Sequence, residues 1–312
     1  MMGRLSPAAA GAVFGIVAGL MYIGIALGKP GALILVYLTQ LPLFAAGLWL
    51  GVGAATAAGI TGTLVLLAVS DLLGAALFAA LNAVPVTLLV RQALLARRLP
   101  DGTYAWYPTG LLTAWLTGYA LAGMGVAMLL LGGPQAMHES LRGVLATVLD
   151  RMYGAAVPNR DEVAATLASI IPGVVAASWM VTAVINAALA QGVLARFSAN
   201  WRPSPSLVSL ELPIWLHIAL GIAAVAAILG GVAGFVGINA MIALSIAFCL
   251  GGLAVLHAAV RRLSHPTMVL VCFYAAAALF GWPFLVVAVL GLLDIWLGLR
   301  RRLAPQGVNS DG

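Results

Sequence analysis

Of the 312 residues, 63% are hydrophobic and only 8% are charged, with a formal net charge of +6. A soluble domain carries about 25% charged residues and a disordered chain is poor in apolar ones, so this composition excludes both. The 15 basic residues sit singly or in short groups at the ends of apolar runs, the arrangement that orients membrane proteins and not a nucleic-acid footprint. The fold class that follows is all-α: a polytopic transmembrane helix bundle whose main partner is the lipid bilayer.

Ten apolar segments follow in chain order, at 7–28, 32–50, 53–69, 72–95, 110–131, 172–194, 213–230, 237–260, 263–280 and 284–299. A spanning helix needs roughly 20 apolar residues. Ten of them with their connectors use nearly the whole chain and leave no room for a separate soluble catalytic domain. The last two are divided by Gly281-Trp282-Pro283, and Gly and Pro punctuate turns.

Charge supplies an independent count. With Arg4 cytoplasmic, ten crossings place Arg4, Arg91, Arg97, Arg98, Arg196, Arg202, Arg261, Arg262, Arg300, Arg301 and Arg302 on one side, eleven of the 15 basic residues. Nine crossings would strand Arg300, Arg301 and Arg302 outside, against the positive-inside tendency. The expectation is therefore about ten spans, both termini cytoplasmic, and a single integral membrane domain over 1–312. Ten spans divide into five and five, an odd-numbered unit that would invert across the membrane, but no sequence match between the halves accompanies that parity.

The one long connector, at about 132–171, falls outside in this topology. Leu141, Val144, Leu145, Val148, Leu149 and Met152 recur at helical spacing, with Glu139, Arg142, Asp150 and Arg151 on the other face. A second short helix is expected from Asp161-Glu162 through Leu167 to Pro172. The pair reads either as amphipathic helices on the outer membrane surface or as a lid over an outward-facing cavity.

Enzyme signatures are absent. His138-Glu139 lacks the second histidine of a zinc helix, and there is no G-x-S-x-G and no P-loop. Cys249 and Cys272 lie inside apolar runs and read as small hydrophobes. The expectation is a protein that is not an enzyme, without cofactor or metal. What remains is polar groups at membrane depth, which must face protein or a cavity. Gln40, Asn82, Asn186, His257 and Asp294 form the candidate ligand-binding set. Each has a plainer alternative: an interhelical hydrogen bond worth about 0.6 kcal/mol for the amides, an interfacial position for the histidine, and pairing with a nearby arginine for Asp294. Asp71 reads as a helix cap, and Asn239, near the outer end of its helix, reads equally as a cap or as a further buried amide. Gly11, Gly15 and Gly19, at four-residue spacing, form either an internal packing seam or a docking face for a membrane partner.

Several phrases carry a resemblance. They are Trp106-Tyr107-Pro108 with Gly110 and Leu111-Leu112; Pro172 followed by Asn186 and Ala190-Gln191; Arg202-Pro203 and Pro205 leading to Leu212-Pro213 and Trp215; Gly252 to His257; and Gly291-Leu292 with Asp294, Trp296 and Arg300. In this order they resemble the YybS-like family of bacterial predicted membrane proteins, a domain-of-unknown-function family, over nearly the whole chain. Its hydropathy is similar to that of the substrate-binding S components of energy-coupling-factor transporters. That likeness implies a small-molecule carrier in a bacterial cytoplasmic (inner) membrane that docks on a partner. Two functions from different classes stay open: transporter-like small-molecule binding or translocation, and a non-transporting scaffold in cell-envelope assembly.

Overall fold

A computed structural model of the chain describes residues 6–24, 30–153, 159–205 and 210–303. Arg4, used above to count crossings, lies outside the described residues, as do the last nine positions. The chain divides into two compact units, one of Met1–Leu116 with Val181–Pro205 and one of Thr117–Met180 with Ser206–Gly312.

In the first unit, α1 (Pro7–Ile23) opens with Pro7 at its first position and Ser6 as its cap, the hydroxyl accepting from the Ala9 N–H at 3.2 Å. Segment 32–50 is two helices, α2 (Pro30–Tyr37) and α3 (Gln40–Leu50). At the break between them the Leu41 N–H turns back to the Leu38 carbonyl at 3.0 Å. Pro42, the residue that would normally serve that carbonyl, has no N–H. One residue, Gly51 at φ +94°, turns the chain into α4 (Val52–Val69), a left-handed conformation that favours glycine.

α1 and α4 touch backbone to backbone. A Cβ on Gly11 would fall 2.4 Å from the Ala54 carbonyl oxygen, one on Gly15 would fall 2.3 Å from that of Ala58, and one on Gly19 would fall 3.0 Å from Val65. Inside this unit the Gly11/Gly15/Gly19 face packs against α4. Around this seam pack Leu43, Phe44, Leu66, Phe78, Val86 and Val90.

Segment 72–95 is also interrupted. Asp71 caps α5 (Leu72–Phe78), accepting from the Gly74 N–H at 2.6 Å. A π-helical turn, Ala79–Ala83, then precedes α6 (Val84–Ala93). A short antiparallel hairpin follows, β1 (Ala96–Arg98) with β2 (Tyr104–Trp106). Three-residue strands carry too little alternation to be read from sequence. Helix α7 (Thr109–Leu130) begins in this unit and continues into the other.

The second unit holds α8 (Pro134–Tyr153), the first part of α9 (Arg160–Arg196), α10 (Ile214–Leu229), α11 (Gly231–Val260), α12 (Pro266–Phe280), α13 (Pro283–Leu297) and α14 (Leu299–Leu303). The predicted stripe belongs to α8, with Val144, Val148 and Met152 on its exposed side. The short helix expected to stop at Pro172 does not exist as a separate element. It is the start of α9, which runs unbroken for 37 residues with Pro172 inside it. α11 and α13 cross as closely as α1 and α4: a Cβ on Gly252 would fall 1.7 Å from the Val287 oxygen, and one on Gly291 would fall 1.9 Å from the Phe248 oxygen.

Large apolar side chains such as Leu130, Ile228, Leu279 and Phe280 face outward, as they would toward lipid. Six described helical stretches are long and apolar enough to cross a membrane, or seven if α12 and α13, bent by 116° at their junction, make one broken span. This supports a multi-pass membrane bundle. The count of ten adds α1 and α10, at 17 and 16 residues, and treats α12 and α13 as separate crossings.

Candidate functional site

The buried carboxamides sit where the helices break. Pro85 has no N–H to return to the Leu81 carbonyl four residues earlier. In the first unit, Gln40 Nε2 donates to that carbonyl at 3.0 Å, bridging the start of α3 to the π-turn. Asn186, on the α9 segment of the same unit, donates through Nδ2 to the Tyr37 carbonyl at 2.7 Å, at the end of α2, and to the Thr182 carbonyl at 2.8 Å. Asn82 lies in the π-turn itself, one residue from Leu81. Gln40 thus reaches the carbonyl next to Asn82, and Asn186 reaches that of Tyr37, three residues before Gln40. Gln40 is 2% exposed, Asn82 7% and Asn186 1%.

These amides are only half used. Gln40 Oε1 and Asn186 Oδ1 are buried without a hydrogen-bond partner among the described residues, and no bond engages the Asn82 carboxamide there. A buried unsatisfied acceptor costs about 1–3 kcal/mol. Leaving two in one neighbourhood is costly for a purely structural role. The unit offers no acid to this place: its two carboxylates, Asp71 and Asp101, are both exposed.

Asn239 in the second unit is the internal comparison. It is fully buried within α11 and takes the buried-amide role of its two alternatives, not the cap. Its Oδ1 accepts from the Gly173 N–H at 2.6 Å, and its Nδ2 donates to the Ser169 and Phe235 carbonyls, each at 2.8 Å. Ser169 and Gly173 are an i, i+4 pair of α9 flanking Pro172. Every polar atom of this amide is spent on structure, and the supported turn is why a proline fails to end α9. Polar partners of this kind are what let proline persist inside membrane helices.

The other two predicted residues belong to the second unit. Asp294, buried, accepts from the Arg300 main-chain N–H at 2.9 Å and from its Nε at 2.5 Å. Arg300 also donates to the Leu210 carbonyl. His257 Nδ1 lies 2.8 Å from the Leu253 carbonyl, and its ring sits beside Tyr274.

Arg202, a topology marker and part of a resemblance phrase in the sequence, is a buried tie in the first unit. Its guanidinium donates to the carbonyls of Ala93 and Tyr107, each at 2.9 Å. Its own carbonyl accepts from Gln191 Nε2 at 2.9 Å and Asn200 Nδ2 at 2.8 Å. Burial pushes the guanidinium pKa below its ordinary value. Phrases that carried the resemblance thus meet in space: Trp106-Tyr107-Pro108 with Arg202 and Gln191, and Gly252 with Gly291. A profile for predicted membrane proteins, DUF2232, matches residues 15–295. No curated protein and no solved structure matches the chain.

Proposed function

Because the chain belongs to the DUF2232 family of predicted membrane proteins, we propose that it is a non-catalytic, transporter-like protein of a bacterial cytoplasmic membrane that binds a small molecule at Gln40, Asn82 and Asn186. In this reading ten crossings leave both termini cytoplasmic and the 132–171 connector outside. The observation that carries it is the pairing of two interrupted helices, α2/α3 and α5/α6, through the Gln40–Leu81 hydrogen bond. Interrupted spans and π-turns mark binding sites in membrane proteins because loosened backbone and polar side chains collect there. Translocation would need the site to open alternately to each side, and binding alone would suit a docking subunit.

The experiment is protection of a cysteine at the site. Asn82→Cys, in a chain with Cys249→Ala and Cys272→Ala, is treated with a membrane-permeant maleimide in native vesicles. A small-molecule extract of the source cells slows its labelling if the reading is right. Labelling that the extract leaves unchanged, at normal abundance, favours the scaffold.

A further inference from the structure

Resting on the assignment of Gln40, Asn82 and Asn186 as the ligand site, we infer that its ligand is uncharged and meets Gln40 and Asn186 with N–H or O–H donors. A backbone carbonyl only accepts, so the amide nitrogens must face Leu81, Tyr37 and Thr182, and the orientation of both carboxamides is fixed by their partners. What each amide has left to offer is an oxygen. Gln40 Oε1 and Asn186 Oδ1 are both buried and both unpartnered among the described residues. The oxygen of Asn239, by contrast, is taken by the Gly173 N–H.

Two acceptors select against an anion, whose oxygens would face oxygens in a buried setting. They also give no full charge to a cation, and the unit's carboxylates, Asp71 and Asp101, are exposed. A buried charge without a counter-charge is strongly disfavoured. A neutral group carrying hydrogen-bond donors satisfies both oxygens without either penalty. Amides, cyclic imides and polyols have that chemistry, and a site built to receive donors rejects an analogue that lacks them.

The test uses the purified full chain in lipid nanodiscs and three matched pairs of probes: benzamide and benzoate, uracil and orotate, glucose and glucuronate. At least one uncharged member should raise the unfolding midpoint by about 2 °C or more. Its carboxylate counterpart should not, and the shift should vanish in Asn186→Leu. If that variant fails to fold, Gln40→Met carries the same comparison. No shift from any uncharged probe, or an equal shift from the charged partner, overturns the ligand class. An Asn186-dependent shift from the charged partner leaves the site standing while the class falls. A shift that persists in the Asn186→Leu and Gln40→Met variants overturns the site itself.

Discussion

The carboxamide of Asn239 accepts a hydrogen bond from the Gly173 N–H at 2.6 Å, one residue after Pro172. With its donation to Ser169 at 2.8 Å, the side chain touches both ends of one turn of α9, across 66 and 70 residues of sequence. Asn239→Leu should therefore destabilise the protein by about 1–3 kcal/mol, the cost of stranding buried backbone groups. The loss should shrink in a Pro172→Ala background, where α9 can complete its own ladder. A double-mutant cycle on unfolding in lipid checks this, and additive effects would deny the coupling.

Gly252 and Gly291 should be the least tolerant glycines. A methyl group at either would fall within 2 Å of a carbonyl oxygen of the facing helix, 1.7 Å for Gly252 and 1.9 Å for Gly291. Gly252→Ala or Gly291→Ala should cost about 3 kcal/mol or more, at the upper end of overpacking. Gly123→Ala, which meets nothing within 4 Å, should be neutral. The folded fraction recovered by size-exclusion chromatography separates the two cases.

Asp294 should matter for folding and not for ligand. Its only described partner is Arg300, and both side chains are largely buried. Removing one member of a buried pair costs about 3–5 kcal/mol, so Asp294→Asn should lower abundance, and Asp294→Asn with Arg300→Gln should recover part of it. Ligand response in the surviving Asp294→Asn protein should match wild type. A normal midpoint with a lost response would move Asp294 into the site.

Topology is open to direct measurement. A reporter active only in the cytoplasm should work when fused at Gly312. Cysteines replacing Glu139 and Asp150 on α8 should react with an impermeant reagent applied from outside. A silent reporter would contradict the ten crossings, and protection of both cysteines would contradict the surface placement of α8.

What the sequence made legible was set by lipid. Long apolar runs located α4, α7, α10 and the bulk of α11, because a span must be long and apolar whatever it packs against. Asp71 was readable as a cap because its partner, the Gly74 N–H, is three residues away. The site was legible as residue types and not as an arrangement: Gln40, Asn82 and Asn186 stood out as polar, yet their partners lie 41 residues away for Gln40 and 149 for Asn186. The helix break at Leu38-Thr39, the π-turn and the continuity of α9 past Pro172 escaped for the same reason. Each depends on a side chain donating to a distant backbone carbonyl. Arg202 escaped because an arginine at a span's end is ordinarily an exposed topology signal.

The central claim is that Asn186 and Gln40 serve a ligand while Asn239 serves the fold. The most direct measurement is the unfolding midpoint of wild type, Asn186→Leu and Asn239→Leu in lipid nanodiscs, with and without the small-molecule extract. Asn239→Leu should unfold earlier than wild type yet keep the extract-induced rise. Asn186→Leu strands the Tyr37 carbonyl and should itself unfold earlier than wild type for the same reason, while its extract-induced rise disappears. A rise retained in full by Asn186→Leu, or absent from wild type, would contradict the account.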